Sequence, residues 1–269
     1  MTKKQKLLIA TPSYGGTVTV EYFTSIRRLE AKLKAQGVEV DLHLISFAQV
    51  DKVRSYFATR LLLEPFTHLL FVDADMSFDA DTVMAMLALD EPVTAVAYPK
   101  RTIDFKNAHA AFRKHEQFDT AMASALEFVF EGDLRKSLLK QREGGKNTIT
   151  LRAGRFIEAT MAGTGLMLIQ KAAVVKLREV FADLWVGKPV SPYSSFGPGQ
   201  GIFQCFEALK NKDGVYLSED ASFCQRWVQS CGGTVWVNVV DPIGHTGAKK
   251  FESTFVARYL DVTTLKKPR

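Results

Sequence analysis

Apolar positions change period in a regular rhythm along the chain. The run Lys6 to Ala10 is short and apolar and stops at Thr11-Pro12-Ser13-Tyr14-Gly15-Gly16, which predicts a buried strand opening into a loop. Tyr22, Ile26, Leu29 and Leu33 then recur at helical spacing through Gln36, with Gly37 as the stop. Val38 to Ser46 alternates apolar and polar residues, as a strand does. Val50 to Glu64 returns to the helical period, with Val53, Phe57, Leu61 and Leu62 on one side, and Pro65 ends it. His68 to Val72 is a continuous apolar run, the mark of a strand covered on both faces, and it leads into Asp73-Ala74-Asp75. Asp79 is placed to cap a helix through Leu89, and Pro92 to Tyr98 predicts another buried strand.

Strands and helices alternating at this pace predict an α/β fold in three layers, a mostly parallel central sheet with helices on both faces. The rhythm stops between Thr102 and Gly145, where an insert with a long helix around Gln117 to Gln141 is expected. Arg155 to Gln170 resumes strand character around Gly163 and Gly165, and Ala172 to Phe181 predicts a helix. Pro189 to Gly201 is rich in Ser, Pro and Gly and reads as a mobile loop. A helix at Asp220 to Ser230, a strand at Thr234 to Val240 and a Gly-rich turn containing His245 complete the pattern. The expectation is a single domain over 1–269, with halves 1–101 and 146–269 on either side of the insert 102–145.

With 269 residues and 46% hydrophobic content the chain can bury a full core. Cys205, Cys224 and Cys231 are too few and too scattered for a disulfide framework or a zinc site, so reduced thiols are expected. The formal charge of +6 is spread along the sequence without an aromatic-interleaved basic face, which argues against nucleic acid and leaves small anionic ligands. Lys266-Lys267-Pro268-Arg269 is the dense basic cluster and reads as a solvated end. No run approaches the ~18 apolar residues of a membrane span, and the first apolar run is too short for a signal-peptide core. A cytoplasmic protein is the expectation.

Three places carry chemistry. Asp73 and Asp75 stand where a strand opens into a loop, the side of an α/β sheet on which ligands collect, and two such carboxylates can share a hard cation. Such a pair also occurs as an ordinary acidic loop. Glu219 and Asp220 open a helix, where acidic residues complement the dipole; Asp220 could equally serve as a general base. His245, flanked by Gly244 and Thr246-Gly247, can turn a ring nitrogen into a cleft, and imidazole suits Mn²⁺ better than Mg²⁺.

The ordered series TPSYGG, VRSYFATR, FVDADMSF, AYPKR, AGTGLMLI, YLSEDASFCQRW, GGTVWVNV and GHTG resembles the GT-A glycosyltransferases, in a bacterial and viral branch close to family 2, over nearly the whole chain outside the insert. The resemblance implies transfer of a sugar from a nucleotide-diphosphate sugar, expected to be a UDP-sugar, to a carbohydrate hydroxyl, with Mn²⁺ or Mg²⁺ as cofactor. It makes 1–101 the donor-binding half and 146–269 the acceptor and catalytic half. Thr11, Pro12, Tyr14 and Ser46 would hold base and ribose, and Arg54 and Arg60 would approach the base or the diphosphate. Asp73, with Ala74 beside it, would contact ribose or cation; Asp75 and His245 would ligate the metal. Asp220 would be the base, expected to give inversion, with Glu219 beside it and Gly163, Thr164 and Gly165 lining the acceptor side. Acceptors would enter by the Ser191 to Gly201 loop, and Lys249 and Lys250 would close over the diphosphate. Gly15-Gly16 departs from the polar pair that family 2 usually has after the Tyr. Two alternatives remain open: a haloacid dehalogenase-type phosphatase, for which Ser77 supplies the hydroxyl after the acidic pair, and a non-catalytic sugar-nucleotide-binding protein. A sugar-1-phosphate nucleotidyltransferase shares the general fold but wants Arg and Lys in the first loop, which TPSYGGTV lacks.

Overall fold

In the computed structural model, which describes residues 5–114, 117–132, 151–187, 201–247 and 250–254, the first half follows the hydrophobic pattern closely. Strand β1 (Lys6–Pro12) is followed by α1 (Val20–Ala35), β2 (Glu39–Ile45), α2 (Val50–Leu63), β3 (His68–Val72), the short β4 (Met76–Phe78), α3 (Ala80–Leu89) and β5 (Val93–Val96). The Thr19 side chain caps α1 by accepting from the Tyr22 amide, and Asp79 caps α3 by accepting from the Asp81 amide, as its position predicted. Gly15 and Gly16 have φ of 77° and 72°, so the turn leaving β1 uses backbone that a polar pair would enter with strain.

The second half is less regular. It runs β6 (Tyr98–Ile103), α4 (Phe105–Lys114), α5 (Phe118–Ser124), β7 (Leu126–Glu131), β8 (Phe156–Ala159), β9 (Met161–Ala162), β10 (Leu166–Gln170) and α6 (Lys171–Val180). The ribbon strands β11 (Trp185–Val186) and β12 (Ile202–Phe203) precede α7 (Glu219–Gln225), which continues as a π-helical turn over Arg226–Ser230, and β13 (Val235–Asn238), β14 (Ile243–Thr246) and β15 (Lys250–Ser253) close the series.

Seven strands form the central sheet in the order β2-β1-β3-β10-β5-β13-β8. β1, β2, β3, β5 and β13 share one direction, and β10 and β8 oppose it. Alternate residues of β1 and β3 face opposite layers: Leu8, Ala10, Leu69 and Phe71 pack with Val53, Phe57 and Leu61 of α2 and Leu177 of α6. Leu7, Ile9, Leu70 and Val72 pack with Tyr22, Ile26 and Leu29 of α1 and Met86 of α3. Each such Leu, Ile or Phe contributes about 1.5–3 kcal/mol by leaving water. The fold is therefore the expected three-layer α/β arrangement, a mostly parallel sheet with helices on both faces.

Three expectations are corrected. The long helix around Gln117 to Gln141 is, in its described part, the short α5 followed by β7, whose Leu126 and Phe128 are buried at the period of two that a strand requires; residues 133–141 lie outside the described residues. The strand expected over Pro92 to Tyr98 divides at Ala97: β5 stays in the main sheet, and β6 leaves it to pair with β7, which also pairs with β9. His245 lies in β14 rather than in a turn, and β14 is sandwiched between β4 and β15. The loop expected at Pro189 to Gly201, Lys249 and the basic tail fall outside the described residues, apart from Gly201. Cys205, Cys224 and Cys231 are free and buried, and burial pushes the Cys205 and Cys224 thiols up to about 12. No helix among the described residues is long and apolar enough to cross a membrane.

Candidate functional site

The chain leaves β1 for β2 on one flank and returns to β3 on the other, so a crevice opens outside the carboxyl ends of β1 and β3. A cleft of about 550 Å³ fills it, lined by Pro12 and Tyr14 after β1, Phe47 and Ala48 after β2, Arg54 of α2, Asp73 to Asp75 after β3, Arg101 of β6 and His245 of β14.

Backbone hydrogen bonds hold the acidic turn from three sides. The Asp73 amide donates to the Gly165 carbonyl at 3.0 Å, the Thr19 amide to the Ala74 carbonyl at 3.0 Å, and the Thr246 amide to the Asp75 carbonyl at 2.8 Å. The last bond continues the pairing of β14 with β4, in which His245 stands opposite Met76. That register sets His245 Nε2 3.4 Å from Asp75 Oδ2. Its Nδ1 lies 2.9 Å from the Pro99 carbonyl, which can only accept, so Nδ1 carries the hydrogen and Nε2 is the atom aimed at the carboxylate. Arg101 Nη1 reaches the same Oδ2 at 3.1 Å.

Burial opposes ionisation of Asp75, but the hydrogen bond and charge of His245 and the charge of Arg101 outweigh it and hold the carboxyl below its ordinary value. Burial likewise opposes the charge on His245, and Asp75 together with the Pro99 carbonyl overcomes it, raising the imidazole.

Arg54 ties the site to its surroundings. Its side chain is 5% exposed, with Nη2 3.0 Å from Asp73 Oδ1 and Nε 3.4 Å from Glu219 Oε1. Nη1 donates to the Thr164 carbonyl at 3.4 Å, and the guanidinium lies over the Phe71 ring. One guanidinium thus joins the end of β3, the loop before β10 and the start of α7. Burial raises the Glu219 carboxyl; Arg54 pulls it back and the neighbouring Asp220 charge adds to the rise. Asp220 accepts from the Ala221 amide at 2.7 Å and from the Ser218 hydroxyl, and its charge is felt by both Arg54 and Tyr98.

Tyr98 is a residue that periodicity does not single out. It is buried, stacks edge-on against His245 with ring centroids 5.5 Å apart, and its hydroxyl is pushed far above the ordinary phenol value by burial and by the charges of Asp73 and Asp220. It also explains two glycines. A Cβ on Gly163 would lie 2.2 Å from the Tyr98 hydroxyl, and one on Gly165 2.8 Å from its ring. Tyr98 lies against both positions and by itself requires them to be small. Gly163→Ala should cost about 1–3 kcal/mol of stability by overpacking, and part of that should return in the double variant with Tyr98→Phe; thermal unfolding of the three proteins measures it. Equal losses in the single and double variants would contradict the contact.

The other expected site residues divide. Pro12, Tyr14, Arg54, Asp73, Ala74, Asp75 and His245 line the cleft. Thr11 does not: it is buried, and its hydroxyl bonds the Tyr22 hydroxyl on the α1 side, because the pleat of β1 turns it away from its neighbour Pro12. Ser46 is exposed outside the cleft, where Phe47 and Ala48 stand instead. Thr164 is 1% exposed, with its carbonyl taken by Arg54, so its side chain does not face an acceptor. Arg60 lies six residues beyond Arg54, about 240° around the helix, and bonds Glu64 twice at 2.7 Å. Arg60→Ala should leave nucleotide affinity within about twofold and cost at most about 1 kcal/mol of stability, checked by calorimetry and unfolding. Ser77 lines a separate cavity of about 350 Å³ behind β4, so it does not accompany Asp73 and Asp75 in the cleft.

The donor set fits a hard dication in part. Asp75 and His245 offer a carboxylate and an imidazole with its tautomer set by a backbone carbonyl, the arrangement that metal-binding histidines use. Asp73 is engaged by Arg54, and among the described residues no three His, Cys, Asp or Glu side chains converge on one metal position. The protein thus brings one carboxylate and one imidazole together, at Asp75 and His245.

No protein-family model matches the sequence, and no curated protein does. Similar solved structures include A197 from STIV, at 13% identity over 90% of this chain and 86% of that one with a TM-score of 0.44. A glycosyltransferase involved in the glycosylation of the major capsid of PBCV-1 is similar at 9% identity over 65% of each chain with a TM-score of 0.31. S. aureus TarS 1-349 is similar at 12% identity over 87% of this chain and 58% of that one with a TM-score of 0.36. The chain spans less than two thirds of the latter two. At these identities and scores the likeness is one of general chain course alone.

Proposed function

We propose that the protein is a glycosyltransferase that moves a sugar from a nucleoside-diphosphate sugar, a uridine one in the first instance, to a carbohydrate hydroxyl. The observation that carries this reading is the convergence of Asp75, His245, Arg101 and Arg54 in one cleft outside the carboxyl ends of β1 and β3. A diphosphate entering beside bare aspartates would be repelled, by about 4 kcal/mol for each like-charge pair at ~4 Å and an effective dielectric of 20. Here Arg54 offsets Asp73, and Arg101 offsets Asp75. Asp75 and His245 would hold Mn²⁺ or Mg²⁺, which when bound supplies charge to stabilise the departing diphosphate.

Pro12, Tyr14 and Phe47 form the wall on which the base and ribose would rest. Asp220 would take the proton of the acceptor hydroxyl as its oxygen bonds to the anomeric carbon. The bond from that carbon to the diphosphate breaks, its electron pair leaves with the nucleotide, and the configuration inverts. Glu219, anchored on Arg54, holds the start of α7 so that Asp220 keeps its position.

Calorimetry with a panel of nucleotides, with and without Mn²⁺, tests the reading: a nucleoside diphosphate should bind in a metal-dependent way, and the reading fails if none does. Asp75→Ala should weaken that binding at least about tenfold, the scale of one lost charged ligand. An unchanged affinity would remove Asp75 from the metal site. Release of phosphate from simple esters would favour the phosphatase instead.

A further inference from the structure

A guanidinium and an imidazole meet one oxygen in the cleft. Asp75 Oδ2 faces His245 Nε2 at 3.4 Å and Arg101 Nη1 at 3.1 Å, so a cation held between this oxygen and His245 would meet the Arg101 guanidinium there. A guanidinium and a dication on one carboxylate oxygen repel each other and draw on the same electron density, so each weakens the other's hold.

The two arginines of the cleft differ in freedom. Arg54 is buried, hydrogen-bonded to Asp73 and the Thr164 carbonyl and ion-paired with Glu219, and cannot leave without stranding charges. Arg101 is 53% exposed, and among the described residues its ion pair is with Asp75. Its strand is irregular between Pro99 and Ile103. A long side chain there can change rotamer without disturbing the core.

We propose that Arg101 holds the place of the divalent cation on Asp75 in the nucleotide-free protein and moves to the phosphate oxygens of the donor when cation and nucleotide bind together. This rests on the proposed function and adds a coupling to it. With two protein donors, one of them already engaged by Arg101, the cation alone gains little from the site. The diphosphate brings oxygen ligands for the cation and a new partner for the displaced guanidinium, so each ligand favours the other. Arg101 is thereby both a brake on binding of free metal and a contact to the donor.

The experiment compares the wild-type chain with Arg101→Gln and Arg101→Lys in two titrations. In the first, Mn²⁺ alone is added and the free ion is read by electron paramagnetic resonance; Arg101→Gln should bind Mn²⁺ roughly tenfold more tightly than the wild type, the scale of one charge-assisted hydrogen bond removed from competition. In the second, UDP is titrated by calorimetry at saturating Mn²⁺; Arg101→Gln should bind it roughly tenfold more weakly, with Arg101→Lys between the two in both titrations. A residue with a merely structural role would lower both affinities or neither. Equal or weaker Mn²⁺ binding by Arg101→Gln overturns the place-holding role, and unchanged UDP affinity overturns the transfer to phosphate. The first titration needs no nucleotide, so its failure is separate from that of the proposed function, which instead falls if the wild type shows no metal-dependent UDP binding.

Discussion

Asp220→Asn should abolish sugar transfer while leaving Mn²⁺-dependent nucleotide affinity within about twofold. The substitution keeps the shape of the side chain and the hydrogen bonds that its oxygen accepts from the Ala221 amide and the Ser218 hydroxyl, so the start of α7 has no reason to move. It removes the basic oxygen. Loss of a general base typically lowers turnover by about 10²–10⁴-fold, and the other carboxylates named at the site among the described residues are already engaged. Glu219 is anchored on Arg54. Asp73 is held by the same guanidinium, and Asp75 by Arg101 and His245. The measurement is a single-turnover assay alongside calorimetry on the same preparation. A loss of nucleotide affinity equal to the loss of rate would move Asp220 into the donor site, and a residual rate above about a tenth of wild type would end its candidacy as base.

Arg54→Met should be the most destabilising single change at the site. It preserves much of the volume and the packing over Phe71 but leaves Asp73 and Glu219, with side chains 25% and 19% exposed, without their shared cation. Breaking a buried pair from one side costs about 3–5 kcal/mol, and partial exposure of both carboxylates puts this case at the lower end. At about 2–4 °C per kcal/mol for a chain of this size, the midpoint of thermal unfolding should fall by roughly 10 °C. Arg54→Lys should recover only part, because an ammonium cannot reach Asp73, Glu219 and the Thr164 carbonyl from one position. Adding Glu219→Gln to Arg54→Met should restore some stability by removing one stranded charge. A fall of under about 2 °C in Arg54→Met would show that water already screens these carboxylates.

Arg54 also shows how far a sequence reading reaches. Its place on a helix followed from the apolar period and its approach to the base or diphosphate from the resemblance, and the same reasoning named Arg60, which points elsewhere. The two differ by six residues, and a helix turns that spacing onto another face. Thr11 and Pro12 part company for the corresponding reason in a strand, where neighbours face opposite sides. Gly163 and Gly165 were legible as positions that must be small, but the cause was Tyr98, some 65 residues earlier in the chain and brought alongside only by the departure of β6 from the main sheet.

What the sequence by itself determined was local: the period of apolar residues from β1 through β5, the cap Asp79, and the delivery of Asp73 and Asp75 at the end of a strand buried on both faces. These follow because a helix or strand buries a face that its own residues encode within a few positions. Only the tertiary structure decided that β14 pairs with β4 and sets His245 against Asp75, that Arg101 reaches the same oxygen from β6, and that Arg54 joins Asp73 to Glu219. Those partners lie far apart in sequence, and their meeting depends on strand register and crossover order, which no periodicity within one segment records.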